Sequence, residues 1–281
     1  MNITGTTIPF AVLGHPVAHT LSPPMHNANL QALGMNAIYQ AFDVHPDRLL
    51  SVLESMRHMG FGGVNLTIPH KEIAFRGLEQ LADSATLVGG VNTVEFSENG
   101  MIGHSTDGYG FLQDLKESFD FSVEGKSIFV LGCGGAGRAV ALVTAQHGAR
   151  EVILSSRNEE RRKKVEAEIH ALGLDTKVVH EGDPASADLV VNGTPVGMKP
   201  DDKPLLSKEK FHADQVVYDL IYVVPETAFM KPALEAGAKA KNGIGMLLHQ
   251  GIRSFEIWTG KSADEPAMRH ALLEHLNSKP A

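Results

Sequence analysis

Short apolar runs alternate with helical patterns along the first part of the chain. Pro9–Leu13, Ala37–Phe42 and Phe61–Leu66 have the length and composition of buried strands. Pro46–His58 carries apolar residues at helical spacing, so a helix is predicted between the second and third strands. Because strands that alternate with helices favour a parallel sheet, the chain is predicted to belong to the α/β fold class.

The alternation continues after a predicted hairpin that turns at Glu98–Gly100. Further helices are predicted over Ala136–Ala145, Glu159–Leu172 and Gly245–Trp258. Further strands are predicted over Ser127–Leu131, Glu151–Ser155, Lys177–His180, Asp188–Val191, Gln215–Leu220 and Ala238–Gly243. Repeated units of this kind, with polar loops at the strand ends, are typical of a doubly wound domain.

A glycine-rich turn joins the strand at Ser127–Leu131 to the helix that follows it. Its glycines, Gly132, Gly134 and Gly137, have the G-x-G-x-x-G spacing. In such a turn the first glycine permits the tight bend, the second lets the backbone approach a pyrophosphate, and the third lets the helix pack on the strand. The free N–H groups at the helix N-terminus then face the phosphates. The turn therefore predicts a dinucleotide-binding site.

The end of the next strand indicates which dinucleotide is bound. An NAD site usually has an acidic residue there, about 20 residues after the first glycine, to bind the ribose 2′-hydroxyl. This chain has Ser156 and Arg157 instead, and a cation with small polar groups suits the 2′-phosphate of NADP. Arg161 either adds to this phosphate site or belongs, with the basic residues 162–164, to a solvated helix face.

Composition narrows the class of protein. The 281 residues suffice for one large or two modest domains, and 43% hydrophobic with 21% charged residues is ordinary for a globular protein. The net charge of −8 argues against nucleic acid as a partner. No membrane span and no secretory leader is predicted, and the single cysteine excludes an internal disulfide. We therefore expect a cytoplasmic enzyme.

Polar loops at the predicted strand ends carry candidate functional residues. Thr20 and Ser22 follow the first strand; they present hydroxyls to a ligand, or Ser22 caps the next helix. Lys71 falls in the first turn of a helix that starts at Pro69, where the helix dipole disfavours a lysine. Asp107 precedes a helical stretch and is, on pattern alone, a cap or turn residue. Because open α/β sheets bind ligands at the carboxyl ends of their strands, Lys71 is a candidate for chemistry.

Eight different motifs are distributed along nearly the whole chain. They are Gly14–Asn27, Val64–Glu72, Gly90–Thr93, Ser105–Gly108, the glycine turn, Asn192–Met198, Asp219–Tyr222 and Gly245–Gly251. Together they resemble the shikimate dehydrogenase family. The resemblance implies an N-terminal α/β substrate domain with a parallel or mixed sheet, a Rossmann-type NADP-binding domain, and an active-site cleft between them. The substrate domain is expected over residues 1–107 and 244–281, and the NADP domain over residues 108–243.

The resemblance also implies an oxidoreductase that uses NADP to reduce 3-dehydroshikimate reversibly to shikimate, in the pathway to chorismate and the aromatic amino acids. Lys71 is the implied catalytic acid and base, and Asp107 is its partner. The implied substrate contacts are Thr20, Ser22 and Tyr222 at the carboxylate and Thr67, Lys71, Asn92, Asp107 and Gln250 at the ring. The implied cofactor contacts are Asp83, Gly132, Cys133, Gly134, Gly135, Ala136, Ser156, Arg157, Asn158, Arg161, Thr194, Leu220 and Gly243. No metal is implied, and a monomer or homodimer is expected.

The chain departs from the family pattern in four of its motifs. Thr20 stands where serine is usual, and its extra methyl group beside the carboxylate site is either tolerated or favours a relative of shikimate such as quinate. Ser105 precedes Thr106-Asp107 where asparagine is usual, and a local hydrogen-bond change is expected. Ser156-Arg157-Asn158 replaces the usual Asn-Arg-Thr, which keeps the arginine and the NADP preference. Cys133 replaces a common alanine and is either a packing residue or a thiol activated at the helix N-terminus.

Three other functions remain open at this point. One is a quinate/shikimate dehydrogenase with relaxed use of NAD, favoured by Thr20 and Ser156. Another is a non-catalytic dinucleotide-binding or regulatory paralogue, which the presence of both Lys71 and Asp107 disfavours. A folate-linked dehydrogenase of similar architecture is the most distant, because its substrate does not need the hydroxyls of Thr20, Ser22 and Tyr222 together.

Overall fold

The computed structural model describes residues 3–180, 182–199 and 201–278. The chain divides into two compact units, one comprising Met1–Gly110 with Leu248–Ala281 and the other Phe111–Leu247. These divisions lie three and four residues beyond the predicted limits of 107 and 243. The predicted outer limits at residues 1 and 281 lie outside the described residues. Within the described ranges, no helix has the length and apolar character needed to cross a membrane.

The first unit is built on a mixed sheet with the strand order β2-β1-β3-β5-β6-β4. Its described strands are β1 (Ile8–Gly14), β2 (Ala37–Asp43), β3 (Gly63–Leu66), β4 (Gln80–Leu81), β5 (Thr93–Ser97) and β6 (Gly100–His104). β1 pairs in parallel with β2 and β3, as the alternating pattern predicts. β5 is antiparallel to β6, because the predicted hairpin joins the two strands, and it is also antiparallel to β3.

The helices of the first unit cover this sheet. They are α1 (Ser22–Ala32), α2 (Leu49–His58), α3 (His70–Gly77), α4 (Asp83–Val88) and α10 (Glu265–Ser278), with the start of α5 (Asp107–Phe119) and most of α9 (Ile244–Thr259). Leu248, Ile252 and Phe255 form a buried stripe along α9. Trp258 continues this stripe and donates a hydrogen bond of 3.0 Å to the carbonyl of Val94. A Cβ at Gly63 would lie 2.2 Å from the Trp258 ring, so glycine is required where α9 packs on β3.

The second unit is a parallel sheet with the strand order β12-β11-β10-β7-β8-β9. Its described elements are β7 (Ser127–Leu131), α6 (Gly135–Gln146), β8 (Glu151–Ser155), α7 (Glu159–Ala171), β9 (Lys177–His180), β10 (Leu189–Asn192), β11 (Val216–Asp219), α8 (Met230–Glu235) and β12 (Lys239–Asn242). Counted from β7, this is the 3-2-1-4-5-6 order of the Rossmann fold. The order reverses between β7 and β10, which are neighbours, so their carboxyl ends mark the expected ligand position.

Candidate active site

Lys71 and Asp107 form an ion pair in the first unit. Lys71 lies in the first turn of α3, directly after β3, and Asp107 is the first residue of α5, directly after β6. The Lys71 Nζ lies 2.6 Å from the Asp107 Oδ2, and the two side chains are 35% and 20% exposed. The carboxylate offsets the unfavourable position of the lysine at a helix N-terminus. The pair thus places an ammonium group, still accessible to a ligand, against a fixed partner.

Asn92 orients this ion pair. Its Oδ1 accepts the backbone N–H of Thr106 at 2.8 Å, which fixes the direction of the amide group. The Asn92 Nδ2 therefore faces Asp107 and donates to the Asp107 Oδ1 at 2.9 Å. Because Lys71 donates to the other oxygen, both oxygens of the Asp107 carboxylate accept from a fixed donor. This arrangement fixes the orientation of the Asp107 carboxylate against Lys71.

Gln250 lies on α9 and contacts Asn92. It is 8% exposed, and its Oε1 lies 3.3 Å from the Asn92 Nδ2. One turn further along α9, the Ser254 hydroxyl donates to the carbonyl of Gln250 at 2.9 Å and contacts the Thr93 hydroxyl at 2.7 Å. Sequence reasoning missed Ser254, because a serine on an apolar helix face carries no signal until its partners from other strands are known.

The hydroxyl groups expected at the substrate carboxylate lie around the start of α1. The Thr20 hydroxyl lies 3.2 Å from that of Ser22 and also accepts the backbone N–H of Ser22 at 3.3 Å. The interpretation of Ser22 as a helix cap is wrong. The preceding residue, Leu21, occupies the cap position, and Ser22 is the first helical residue, followed by Pro23 in the first turn. The Ser22 hydroxyl is therefore not committed to the helix end.

Thr67 lies directly after β3 and is positioned by backbone bonds. Its N–H donates to the carbonyl of Leu13 at 2.9 Å, and its own carbonyl accepts from His70 at 2.8 Å. A Cβ at Gly14 would lie 2.6 Å from the Thr67 methyl group, so Gly14 leaves the space that Thr67 occupies. Lys71, Thr67 and the Thr20–Ser22 pair thus all follow neighbouring strands, β1 and β3, at the same edge of the sheet.

A buried aromatic pair lies behind Ser22. His26 stacks on Tyr39 with ring centroids 4.2 Å apart, and the Tyr39 hydroxyl donates to the Asn65 Oδ1 at 2.6 Å. Burial lowers the pKa of His26 to about 3, so its ring is neutral at physiological pH. Burial also raises the pKa of Tyr39, which keeps its hydroxyl protonated as a donor.

The glycine turn of the second unit has open space next to Gly134 and Gly135. Gly132 adopts a φ of +94°, which a side chain rarely tolerates. A Cβ at Gly137 would lie 1.9 Å from the Gly132 carbonyl oxygen, whereas one at Gly134 or Gly135 would meet no described atom within 4 Å. Gly134 precedes α6 and supplies no side-chain cap to its N–H groups. The space and the N–H groups therefore fit a dinucleotide pyrophosphate, with Ala136 in the first turn.

The residues expected at the 2′-phosphate follow β8. Arg157 and Asn158 are exposed, and Ser156 is half-buried. Asn158 is the cap of α7, because its Oδ1 accepts the N–H of Arg161 at 2.9 Å. Arg161 is exposed, but the side chain of Arg162 is only 14% exposed, so its assignment to a solvated face is wrong. Arg162 lies between Glu159 and Glu166, one turn away on either side, which offsets the burial of its charge.

The remaining cofactor candidates follow β10, β11 and β12. The Thr194 hydroxyl donates to the Asn192 Oδ1 at 2.7 Å. Gly243 and Leu220 are in backbone contact, since a Cβ at Gly243 would lie 2.5 Å from the Leu220 carbonyl oxygen. Tyr222 follows β11 in this unit, whereas Asp83 is the first residue of α4 in the other unit.

Cys133 is a packing residue, and the alternative of an activated thiol is wrong. Its side chain is 4% exposed. Burial raises the pKa of the thiol and outweighs the opposing effects of Ser156 and Arg162. A buried, protonated thiol is a poor nucleophile.

We therefore expect iodoacetamide to modify the folded protein at less than about a hundredth of the rate for an exposed cysteine. Mass spectrometry of samples alkylated with and without denaturant measures this rate. Rapid modification of the folded protein, accompanied by loss of NADPH binding, would contradict the assignment of Cys133 to packing.

Comparisons with known proteins find relatives that cover nearly the whole chain. The shikimate dehydrogenase substrate binding domain matches residues 12–94, and the shikimate 5'-dehydrogenase C-terminal domain matches residues 243–273. The shikimate dehydrogenase (NADP(+)) of Methanopyrus kandleri is 42% identical over 286 residues, which cover 98% of each chain. The crystal structure of shikimate 5-dehydrogenase from Thermus thermophilus in complex with NADP(H) and shikimate has a TM-score of 0.86 at 38% identity, covering 95% of this chain and 99% of that one.

A relative with a different substrate is also similar in structure. Quinate dehydrogenase from Corynebacterium glutamicum in complex with NAD has a TM-score of 0.87 at 29% identity, covering 95% of this chain and 99% of that one. The higher identity over nearly the full length lies with the shikimate enzymes. The chain belongs to the shikimate dehydrogenase family.

Proposed function

We propose that the protein catalyses the reversible, NADP-dependent reduction of 3-dehydroshikimate to shikimate in the pathway to the aromatic amino acids. The observation that carries this proposal is the Lys71–Asp107 pair at 2.6 Å, oriented by Asn92 and set in a chain that is 42% identical to an enzyme of this name. The first unit binds the substrate, and the second unit binds NADP.

Lys71 acts on the carbonyl oxygen of the substrate. When bound, NADPH supplies the hydride that reduces the ring ketone. Negative charge develops on the ketone oxygen as the carbon is reduced, and the Lys71 ammonium stabilises this charge and donates a proton from Nζ. In the oxidative direction the neutral amine accepts the proton of the substrate hydroxyl. Asp107 holds Nζ in place and binds an adjacent hydroxyl of the ring.

The other polar groups orient the substrate. Thr20, Ser22 and Tyr222 donate hydroxyl hydrogen bonds to its carboxylate. Thr67, Asn92 and Gln250 bind the ring hydroxyls. Since a site built to pair such hydroxyls leaves its own buried groups unpaired when they are missing, these contacts provide selectivity.

The cofactor residues divide by the part of NADP that they bind. The turn from Gly132 to Ala136 holds the pyrophosphate. Arg157 pairs with the 2′-phosphate, assisted by Ser156, Asn158 and Arg161. Thr194, Leu220 and Gly243, at the ends of β10, β11 and β12, bind the nicotinamide half, and Asp83 is a further cofactor contact from the first unit.

An initial-rate assay with four substrate pairs tests this function. Shikimate or quinate is combined with NADP⁺ or NAD⁺, and the reduced nicotinamide is followed by its absorbance. We expect kcat/KM for shikimate to be at least about tenfold higher with NADP⁺ than with NAD⁺, since one charge-assisted contact at the 2′-phosphate accounts for this factor. We also expect shikimate to be preferred over quinate with NADP⁺. A lack of turnover with all four pairs would contradict the proposed reaction and favour a non-catalytic paralogue.

Thr20 supports a second candidate, a quinate/shikimate dehydrogenase with relaxed use of NAD. Its extra methyl group lies beside the proposed carboxylate site, and the quinate dehydrogenase of Corynebacterium glutamicum is similar in fold. The variant Thr20→Ser distinguishes the two candidates. The second candidate is supported if the native protein turns over quinate as well as shikimate and Thr20→Ser loses the turnover of quinate. The first candidate is supported if both proteins prefer shikimate.

The assembly and the location belong to the same proposal. We expect a cytoplasmic protein that is a monomer or a homodimer. Sedimentation velocity with and without NADP⁺ measures the assembly, and a larger or ligand-dependent species would contradict it.

A further inference from the structure

Asp219 is a buried carboxyl group at the end of β11. It is fully buried, at 0% exposure, and is the last residue of the strand. Its Oδ1 accepts from the Asn192 Nδ2 at 2.9 Å and from the backbone N–H of Ile221 at 3.0 Å. Its Oδ2 accepts the hydroxyl of Thr227 at 2.6 Å. One side chain thus receives hydrogen bonds from the loop after β10 and from both ends of the loop after β11.

The bond to Asn192 extends to Thr194. While its Nδ2 faces Asp219, the Asn192 Oδ1 accepts both the backbone N–H of Thr194, at 3.0 Å, and its hydroxyl, at 2.7 Å. The same Nδ2 also lies 3.2 Å from the carbonyl of Val196. Since an amide can present its oxygen in only one direction, Asp219 selects the orientation of Asn192 that holds Thr194.

The other two bonds fix the loop that carries Tyr222. Ile221 directly precedes Tyr222 and is held through its N–H. Thr227 ends the loop, and its hydroxyl also accepts the N–H of Met230, the first residue of α8. Asp219 therefore bonds to the loop on both sides of Tyr222.

We propose that Asp219 is a positioning residue that sets Thr194 for the cofactor and Tyr222 for the substrate through one shared carboxylate. This inference rests on the proposed function, since that function assigns Thr194 and Tyr222 their ligands. Asp219 itself contacts neither ligand and acts through Asn192, Ile221 and Thr227.

The ionised form of Asp219 is the form that makes all three bonds. Burial raises its pKa from the ordinary value to about 6, against the lowering effect of the three donors. The groups that face the carboxyl within the described residues are the neutral amide, N–H and hydroxyl already named. Above pH 6 the carboxylate accepts from all of them. Below pH 6 the added proton turns one acceptor into a donor, and one of the three bonds is lost.

The variant Asp219→Asn reproduces the protonated state at every pH. At pH 8 we expect its kcat/KM for shikimate with NADP⁺ to be about tenfold lower, the value of one charge-assisted hydrogen bond. We also expect the Kd of NADPH, measured by fluorescence titration, to rise about fivefold, because Thr194 loses its fixed position. The native enzyme should lose activity as the pH falls through 6, and the variant should lack the part of this loss that comes from protonation of Asp219.

Two further variants make the test decisive. Thr227→Val removes one of the three donors without a change of volume and should give a smaller loss in kcat/KM of the same kind. Asp188→Asn is the matched control: Asp188 accepts the N–H of Ser127 at 2.8 Å, immediately before β10, away from both loops. It should leave both ligand affinities and the pH profile unchanged.

The 2′-phosphate of the cofactor also titrates near pH 6, but it does so equally in every variant. Native kinetics and pH dependence in both Asp219→Asn and Thr227→Val would overturn the positioning role. If the native protein fails to turn over shikimate, the proposed function fails by itself. The NADPH titration then still tests the effect of Asp219 on the cofactor site, and an unchanged Kd would overturn it.

Discussion

Replacing Lys71 with methionine is expected to lower kcat about a thousandfold, because the developing alkoxide loses its proton donor and its stabilising charge. Methionine keeps the length and apolar stem of the side chain. Lys71 is not among the residues proposed to bind NADP, such as the glycine turn and Arg157. The Kd of NADPH should therefore remain within about twofold of the native value. Stopped-flow single turnover together with NADPH fluorescence titration measures both quantities.

A lysine outside the site provides the control for this result. Lys177 also forms an ion pair, with Glu151 at 2.9 Å, but its side chain is 71% exposed. Lys177→Met should leave kcat unchanged, because an exposed ion pair contributes little and lies outside the proposed site. If Lys71→Met retained near-native kcat, Lys71 would have no part in proton transfer.

Two alanine substitutions in the glycine turn are expected to act on different properties, one on folding stability and the other on NADPH affinity. A Cβ at Gly137 would lie 1.9 Å from the backbone oxygen of Gly132, which no side-chain movement relieves. Gly137→Ala should therefore lower the free energy of unfolding of the free protein by about 3 kcal/mol. Gly134 has a φ of −76° and open space around its Cβ position in the described structure, so Gly134→Ala should fold normally.

Gly134→Ala is expected to weaken NADPH binding, although it leaves folding unchanged. The added methyl group at Gly134 occupies the space where the backbone approaches the pyrophosphate, so the Kd of NADPH should rise about tenfold to a hundredfold. Thermal unfolding with and without NADPH separates the two variants. Gly134→Ala should lose the ligand-induced rise in Tm while keeping the native Tm without ligand. Normal NADPH binding by this variant would show that the pyrophosphate lies elsewhere.

The elements with the strongest local signal were predicted from sequence. β7 and β8 begin and end at the predicted residues, because their apolar runs are bounded by glycines and polar turns. The NADP cofactor and the two-part α/β architecture also agree with the comparisons. The individual site residues rest on motif positions, and their roles remain predictions.

Other features depend on contacts that no local pattern reveals. The short helices α4 and α8 have too few residues to show a helical period, so they were not predicted. Ser22 looked like a cap because serine commonly is one, yet the helix begins one residue earlier than that role requires. Arg162 looked solvated, since charged residues surround it in sequence. Asp219 and Ser254 receive their partners from separate strands, and only the folded chain brings those partners together.

The discontinuous first unit has a consequence for synthesis on the ribosome. Trp258 packs 5.4 Å from the ring of Phe10 and against the backbone of Gly63, so one face of the first sheet is completed only by α9. The second unit, Phe111–Leu247, is continuous and is translated before residues 248–259, the part of α9 that belongs to the first unit. We therefore expect the nascent second unit to fold while β1 and β3 still expose apolar surface. The first unit can complete its fold only after α9 has been translated. We expect chaperone binding to protect the chain during this interval.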